Sequence, residues 1–348
     1  MEIRENKVTF KSGKIVTKYV LTNNNGMSVE LISLGGTLTK IMVPDAEGRF
    51  ENVLLEWQDI ELYEQHPGSF GAIVGRTAGR IGDGKVTIDG QEYHFYKNNN
   101  GNTLHGGKLG FDHKNFEGKA VIDEEGAKVI LTYLSVDGEE GYPGNLQVKI
   151  TYILKDDNTL TIDYKGETDQ ETIVNLTNHA YFNLSGNAKR SVLDEEVYLN
   201  SDEFYSTDAN LIPDGTMISV DEMPVFDFRV PKTIGQDIKS DNKVLRYGNG
   251  YDHVFKLKSG KEAVKLFDPT SRRFMSITTD APCVVMYTMN GADSSLILSN
   301  GESAKPNYAV CFETQRPAIG HNEVFKDLVL LKKGEVYSQI TTFKFGIL

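Results

Sequence analysis

Short runs in which apolar and polar positions alternate dominate the chain. This alternation places every second side chain on the same face of a β-strand. Gly, Asn and Asp separate the runs, and these residues favour the turns of β-hairpins. The runs occupy 14–22, 27–34, 128–135, 146–154, 159–168, 252–257, 274–279 and 338–345. The pattern predicts an all-β protein, built as one large antiparallel β-sandwich domain over residues 1–348.

Helical periodicity is weak along the chain. The best candidate is 57–66, where Trp57, Ile60 and Tyr63 recur every third residue. The positions four residues on from Trp57 and Ile60 hold Glu61 and Glu64, so the apolar stripe is thin. The sequence therefore predicts one short helix in this segment.

The segment "NLTNHAYFNLSG" carries an unusually polar strand face. Its odd positions are all hydrogen-bonding residues, whereas its even positions are mostly apolar; the odd ones are Asn175, Thr177, His179, Tyr181 and Asn183. A solvated face usually carries flexible Lys and Glu side chains instead. Short or rigid donors and acceptors suit sugar hydroxyls. We interpret this face as the floor of a binding site.

Four other segments combine glycines with catalytic residue types: "GAIVGRTAGRIGDG", "NTLHGGKLGFD", "YGNGYDHVFKL" and "NYAVCFETQRPAIGHN". Each has a structural explanation: an arginine paired in a turn, a surface His105, a turn-capping Asp252, or a solvated Glu313 at a strand end. A histidine acid and a glutamate base together would open and reclose a hemiacetal ring without a cofactor. Asp252 and Glu313 would also fit the carboxylate pair of a glycosidase, which stays open as an alternative.

Composition and charge narrow the partners. With 37 basic and 49 acidic residues, the formal charge is −12, which disfavours nucleic acid as a partner. The first residues do not resemble a secretory signal, and no apolar run approaches a membrane span. Cys283 and Cys311 offer neither a disulfide framework nor metal-ligand spacing. We expect a cytoplasmic protein with no membrane partner, no metal and no cofactor; whether it is a monomer or a homodimer stays undetermined.

Six motifs, in this order along nearly the whole chain, resemble those of the aldose 1-epimerase, or galactose mutarotase, family. They are "GRTAGRI", "TLHGGKLGFD", "DGEEGYPGNL", "NLTNHAYFNLSG", "GYDHVF" and "CFETQ". The resemblance implies a β-sandwich of the galactose mutarotase type. It also implies interconversion of the α- and β-anomers of a free aldose, such as galactose or glucose, without metal or nucleotide. The implied partner is a small-molecule sugar.

The resemblance also implies roles for particular residues. His179 would be the acid that protonates the ring oxygen, and Glu313 the base that takes the proton from the C1 hydroxyl. His105 would be a second histidine near the ring oxygen. The hydroxyl-binding pair would be Arg80 and Asp252, and Tyr181 follows His179 on the same strand face.

Several positions depart from the family pattern. Gly79 stands where asparagine is usual, Val285 where many members carry a sugar-binding glutamine, and Phe116 where tryptophan is common. The segment 316–319 replaces the usual Pro-Asp. A small residue at 79 and an apolar one at 285 would accommodate another hexose, or the reducing end of a disaccharide such as maltose or lactose. A sugar phosphate and a non-catalytic sugar-binding role stay open as alternatives.

Overall fold

The computed structural model describes residues 1–260 and 262–348, and most of its regular structure is β-strand. The strands are β1 (Glu2–Thr9), β2 (Ile15–Thr22), β3 (Ser28–Ile32), β4 (Thr37–Pro44), β5 (Phe50–Asn52), β6 (Ile73–Val74), β7 (Arg80–Ile81), β8 (Lys85–Ile88), β9 (Gln91–His94), β10 (Thr103–Leu104), β11 (Glu117–Asp123), β12 (Gly126–Ser135), β13 (Leu146–Leu154), β14 (Thr159–Thr168), β15 (Thr172–Ile173), β16 (Thr177–Asn178), β17 (Glu196–Leu199), β18 (Glu203–Thr207), β19 (Pro213–Ser219), β20 (Lys232–Thr233), β21 (Asp252–Lys256), β22 (Val264–Phe267), β23 (Arg273–Thr279), β24 (Cys283–Tyr287), β25 (Cys311–Gln315), β26 (Leu330–Leu331) and β27 (Val336–Ile347).

The α-helices of the described residues are single turns, α1 (Leu62–Gln65) and α2 (Lys243–Tyr247). Short 3₁₀ turns lie at Pro67–Ser69, Gly82–Gly84, Phe111–His113, Glu139–Gly141, Val192–Asp194, Pro224–Phe226, Ile234–Gln236, His321–Glu323 and Lys326–Leu328. In the part of the chain that the structure describes, no helix has the length and apolar character needed to cross a membrane.

Three sheets carry the architecture. The N-terminal sheet has the order β1-β2-β3-β4-β5, and the large sheet the order β11-β12-β13-β14-β27-β23-β22-β17-β20. The third, here called the site sheet, has the order β19-β18-β21-β24-β25. Neighbouring strands in all three pair antiparallel. The predicted all-β, antiparallel architecture is confirmed.

The main core is shared by the three sheets. Leu131 and Tyr152 of the large sheet, Leu38 of the N-terminal sheet and Phe312 of the site sheet all belong to one buried cluster. Burying a side chain of this size stabilises the fold by about 1.5–3 kcal/mol. Because the cluster draws on strands from both ends of the chain, it favours a single domain over residues 1–348, which stays a prediction.

The helix predicted over 57–66 is wrong for most of its length. The structure has one helical turn, Leu62–Gln65, and Trp57 instead forms an isolated β-bridge with Leu298. The turn ends because His66 adopts a left-handed conformation (φ 45°) and Pro67 follows it. Trp57, Ile60 and Tyr63 still pack into one cluster. The spacing of three residues therefore indicated that the side chains are buried together, but not that the segment is a helix.

The polar segment 175–186 pairs as a strand over two residues, Thr177–Asn178, against β6, and ends in a turn over 184–186. Phe182 makes separate bridges to Leu54 and Val310. Its apolar side enters the main core as predicted, through Leu176, Phe182 and Leu184 among others. The segment therefore crosses between neighbouring elements and is held by intermittent backbone pairing.

Candidate active site

A cavity of about 380 Å³ opens over one face of the site sheet. Period-two alternation decides which side chains of β21, β24 and β25 reach it. Those lining the cavity are Asp252, Val254, Val285, Tyr287, Glu313 and Gln315. Those pointing into the main core from the intervening positions are Phe255, Val284, Met286 and Phe312. One face of the sheet thus stabilises the fold while the other presents polar groups to the cavity.

Glu313 lies in the middle of β25 and is 3% exposed. Its strand partner in β24 is Val285, so an apolar side chain stands beside the carboxyl. Burial raises the pKa of Glu313 to about 8, and repulsion from Asp252 acts in the same direction, while Arg80 opposes both. Glu313 has therefore the basicity of a group that exchanges protons near neutral pH.

Arg80 and Asp252 stand together at the same wall. The Arg80 Nη2 lies 3.8 Å from the Asp252 Oδ2, and the Arg80 Nε donates to Asn99 Oδ1 at 3.2 Å. Burial raises the pKa of the Asp252 carboxyl, and Arg80 and His179 counteract that rise. The pair leaves donors and acceptors directed at a ligand of the cavity.

His179 approaches Glu313 from the segment 175–186. Its Nε2 lies 3.5 Å from the Glu313 Oε1. Backbone hydrogen bonds fix its position, since its N–H donates to the Ala72 carbonyl at 2.9 Å and its own carbonyl accepts from the Gly71 N–H at 2.8 Å. Burial lowers the pKa of His179 to about 4, with Asp252 and Asp112 opposing that fall. The structure thus brings together the two groups that the sequence nominated as acid and base.

A column of aromatic rings supports His179. Its ring stacks on Tyr181 with centroids 4.9 Å apart, Tyr181 stacks on Phe70 at 4.0 Å, and Phe70 lies 4.0 Å from Trp57. The Tyr181 hydroxyl donates to the Gly68 carbonyl at 3.0 Å. Tyr181 therefore lines the cavity with its ring, and its hydroxyl hydrogen-bonds to the backbone.

His105 occupies a left-handed backbone position (φ 52°) next to Gly79. Its N–H donates to the Gly79 carbonyl at 3.0 Å, and its Nδ1 accepts from the Gly79 N–H at 3.2 Å. Because Nδ1 is an acceptor, the neutral ring carries its proton on Nε2. The ring meets that of His179 edge-on, with the centroids 5.3 Å apart. Burial keeps the pKa of His105 well below its usual range, and the nearby His179 and Arg80 lower the pKa further.

His105, His179 and Glu313 also offer a donor set for a metal ion. One ligand atom from each lies within 4.8 Å of the others. A metal-bound histidine coordinates through an unprotonated nitrogen. In His105 that nitrogen is Nδ1, which already accepts from Gly79. The tautomer therefore suits hydrogen-bond donation from Nε2 better than coordination.

Gly79 and Val285, which stand where the family pattern has asparagine and a sugar-binding glutamine, both line the cavity. Gly79 has φ 72°, and a Cβ built there would lie 3.0 Å from the Cβ of Ala318. Ala318 thus fills space that a side chain at 79 would need, and Gly79 does not enlarge the cavity by a whole side chain. Val285 gives an apolar stretch of wall between Val254 and Glu313.

The interpretation of the whole polar face 175–183 as a site floor is wrong for three of its five residues. Asn175 binds the backbone of Ala78 and Arg316, Thr177 donates to the Thr314 carbonyl, and Asn183 donates to two carbonyls. These side chains hydrogen-bond to neighbouring backbone because the segment lacks a continuous strand partner. His179 and Tyr181 alone of the five line the cavity.

Replacing Asn175 by alanine is expected to destabilise the fold by about 1–3 kcal/mol, because the part-buried Arg316 N–H loses its acceptor and the Arg316 carbonyl loses one of its two donors. Urea unfolding monitored by circular dichroism measures the change. Asn300→Ala, which removes the hydrogen bonds of an exposed side chain, serves as the control and is expected to cost less because water replaces them. Equal stability of Asn175→Ala and the wild type would contradict this account of the segment.

Sequence reasoning missed several lining residues. Tyr287 and Gln315 lie two positions after Val285 and Glu313, so the alternation itself would have identified them. Four more come from loops and 3₁₀ turns, where no periodic signal exists: His66, Ser69, Asp112 and His113. Conversely, Arg76 of the same glycine-rich segment as Arg80 is buried and bonds backbone carbonyls.

Comparison with known proteins gives a consistent result. The sequence model of the family described as aldose 1-epimerase matches residues 17–344. The galactose mutarotase of Rattus norvegicus is 37% identical over 338 residues, which cover 96% of this chain and 95% of the rat protein. The aldose 1-epimerase of Escherichia coli K12 is 31% identical, with 93% of this chain and 94% of that protein covered.

Structural comparison agrees with the sequence matches. The crystal structure of galactose 1-epimerase from Lactobacillus acidophilus NCFM matches with a TM-score of 0.89 at 30% identity, covering 100% of this chain and 99% of that one. The aldose epimerase homologue from C. elegans matches with a TM-score of 0.84 at 26% identity, covering 99% and 100%. The β-sandwich is therefore of the galactose mutarotase type, and the chain belongs to the aldose 1-epimerase family.

Proposed function

We propose that the protein is an aldose 1-epimerase, an isomerase that interconverts the α- and β-anomers of a free aldose such as galactose or glucose. The observation that carries the proposal is the His179–Glu313 pair, with Nε2 and Oε1 3.5 Å apart in a cavity that also presents Arg80 and Asp252. The substrate is a small-molecule sugar, as the names of the relatives indicate for those proteins.

In the proposed reaction, the Glu313 carboxylate takes the proton from the C1 hydroxyl while protonated His179 gives its proton to the ring oxygen. The bond between C1 and the ring oxygen breaks, and C1 becomes the carbonyl of the open-chain aldehyde. Rotation about C1–C2 presents the other face of the carbonyl. Reclosure reverses both proton transfers, which yields either anomer and returns the enzyme unchanged.

The remaining residues orient the sugar in this proposal. His105 donates from Nε2 near the ring oxygen and stabilises the charge that develops there. Arg80 and Asp252 bind ring hydroxyls through their donors and acceptors. Tyr181 holds the imidazole of His179 in place through ring stacking.

Between about pH 4 and pH 8, His179 and Glu313 together hold one proton. Burial places the pKa of Glu313 at about 8 and that of His179 at about 4, so the resting proton lies on Glu313. The proposed roles need that proton on His179. The 3.5 Å contact allows the transfer, and the approach of sugar hydroxyls and Arg80 to the carboxylate favours the ionised pair.

A bell-shaped pH profile of kcat/KM is therefore expected, with limbs near pH 4 and pH 8. Below about pH 4 both groups are protonated and no base remains; above about pH 8 both have lost their protons and no acid remains. Initial rates of anomer interconversion between pH 3.5 and 10, corrected for the uncatalysed reaction, measure the profile. A rate independent of pH from 6 to 10 would contradict the assignment of Glu313.

The charges of the cavity disfavour a phosphorylated sugar. Of three arginines in the motif segments, Arg80 lines the cavity, whereas Arg76 bonds backbone carbonyls and Arg316 lies over the Tyr337 ring. Lys108 adds a second basic side chain to the wall, but the carboxyl groups of Asp112 and Asp252 stand in the same cavity and oppose the binding of an anion. A neutral aldose, or the reducing end of a neutral disaccharide such as maltose, fits these groups better.

Polarimetry or anomeric proton NMR tests the proposal directly. Freshly dissolved α-anomers of galactose, glucose and maltose are followed with and without protein, and acceleration is expected for at least one. No acceleration of any of the three at micromolar enzyme would refute the proposed activity and favour a sugar-binding role. Release of glucose from maltose or a longer oligosaccharide would instead indicate a glycosidase.

A cytoplasmic location is part of the same proposal. Cys283 and Cys311 are free and buried, the usual state of thiols in a reducing compartment. Cell fractionation tests this location. The absence of nucleic-acid and membrane partners stays a prediction from the acidic composition, and the choice between monomer and homodimer stays open.

A further inference from the structure

We propose that His66, Ser69, Asp112 and His113, here called the loop-wall cluster, form a second hydrogen-bonding subsite for neutral sugar hydroxyls. The cluster lines the same cavity as the acid–base pair but does not come from the site sheet: His66 and Ser69 come from the 3₁₀ turn Pro67–Ser69 and the residue before it, and the other two from the turn Phe111–His113. It rests on the proposed function, and would bind hydroxyls other than the two oxygens that exchange protons.

The loop-wall cluster is an ordered set of donors and acceptors. The Ser69 Oγ donates to the Asp112 Oδ2 at 2.8 Å. The His113 Nε2 lies 3.9 Å from the same oxygen. The His66 and His113 rings meet edge-on with centroids 5.8 Å apart. Asp112 acts on the pKa of His179, but none of the four side chains exchanges a proton with the sugar in the proposed mechanism, which leaves the arrangement of the cluster unexplained.

The hydrogen bonding of the loop-wall cluster is incomplete at His66. His66 is 4% exposed, and its Nδ1 has no hydrogen-bond partner in the described residues. Its Nε2 is 3.4 Å from the Thr37 Oγ1. Buried polar groups in native proteins are usually hydrogen-bonded, so the unpaired nitrogen leaves the hydrogen bonding of this part of the wall incomplete.

Asp112 supports the same conclusion. The side chain is buried in the wall of the cavity, beside the ring of His113. Burial raises the pKa of the Asp112 carboxyl, against the effects of His113 and Ser69. A carboxyl group in such surroundings gains from accepting a hydroxyl donor, since hydrogen bonds to charged groups are among the stronger ones in proteins.

Two residues of the cluster have a left-handed backbone. His66 has φ 45° and Ser69 has φ 50°, a region that strains residues with a Cβ and that glycine adopts freely. Pro67 and Gly68 lie between them, and Gly68 also has a positive φ, of 68°. The strained positions thus carry the two hydrogen-bonding side chains that face the cavity.

The chemistry of the ligand follows from the groups. A carboxyl, a hydroxyl and the imidazole of His66, whose pKa burial lowers, bind uncharged donors and acceptors and disfavour phosphate. Within sugars, two sources offer such hydroxyls. One is the exocyclic hydroxymethyl group of the reacting hexose, and the other is a second ring attached to it in a disaccharide.

Kinetics of Ser69→Ala and Asp112→Asn test the subsite and distinguish the two sources. The probes are α-galactose and α-glucose, their 6-deoxy analogues, and the disaccharides maltose and lactose. Each variant is expected to raise KM for a recognised sugar by about 10–100-fold with little change in kcat, because a bond made equally to substrate and transition state is lost. Asp89→Asn, in an exposed turn, is the matched control.

The pattern over the probes identifies the source. A KM effect on the hexose that disappears with its 6-deoxy analogue supports the hydroxymethyl group. An effect confined to disaccharides supports a second ring. Unchanged KM for every sugar in both variants, with an active wild type, would overturn the subsite while leaving the proposed function intact.

Two further measurements distinguish loss of folding and failure of the proposed function from failure of the subsite. Thermal unfolding identifies loss of folding, and Ser69→Ala gives a second test if Asp112→Asn is unstable. If the wild type accelerates no sugar, the proposed function has failed, and calorimetric titration of galactose and maltose into wild type and Ser69→Ala then tests the subsite by itself. Equal affinities in that titration would overturn it.

Discussion

Replacing Glu313 by glutamine is expected to lower kcat for the best aldose by about 10²–10⁴-fold, the usual effect of removing one acid–base group. Glutamine keeps the shape of the side chain and the pairing of β25 with Val285, but it cannot accept the C1 proton. Initial rates by polarimetry at saturating sugar measure the loss. KM should change little, because the amide still offers a hydrogen-bond acceptor.

The fold should tolerate this substitution. Burial raises the pKa of Glu313 to about 8, so the native side chain is mostly neutral at pH 7 and a neutral amide resembles it. Thermal unfolding of the variant should therefore match that of the wild type. Glu222→Gln, at an exposed position, is the control for the chemical change. A Glu313→Gln enzyme with near-wild-type kcat would refute the assignment of Glu313 as base.

The alternation of side chains predicted the sheets well because burial on one face is a strong constraint. The runs at 146–154 and 159–168 coincide with β13 and β14, and their apolar positions enter the main core. The same rule explains why Glu313 reaches the cavity: Phe312 and Thr314, its neighbours in β25, point away from it. For the site sheet, local sequence and tertiary position agree.

Alternation alone did not predict the environment of polar side chains, which can face either a cavity or the backbone of a neighbouring element. Parity separates the faces of segment 175–186, but it does not tell whether a side chain meets a cavity or a neighbouring backbone. Asn175 and Thr177 meet backbone, whereas His179 meets Glu313. The difference depends on which elements lie beside the segment, and those are remote in sequence.

Loop residues were beyond sequence reasoning for a related reason. Ser69 and Asp112 are 43 residues apart and belong to separate 3₁₀ turns, yet their side chains are hydrogen-bonded. No periodicity connects them, and the left-handed backbone of His66 and Ser69 is uncommon for residues other than glycine. Only the tertiary fold brings this wall of the cavity together.

Replacing His179 by asparagine is expected to lower kcat by about 10²–10⁴-fold as well, because the ring oxygen then lacks its proton donor. The loss should exceed any change in KM, since the sugar-binding groups Arg80 and Asp252 stay in place. The acid limb of the pH profile should change too, because burial sets the pKa of His179 at about 4 and the variant has no such group. Rates over the same pH range measure both effects.

The variant pair gives the sharpest test of the mechanism. His94→Asn, on an exposed strand, is the control for the substitution, and full activity of His179→Asn would refute the acid assignment. Because His179 and Glu313 act on the same turnover and share one proton across a 3.5 Å contact, their losses should not add. The double variant should therefore be about as slow as the slower single variant. Multiplicative losses would mean that the two residues act independently, and the shared-proton mechanism would be wrong.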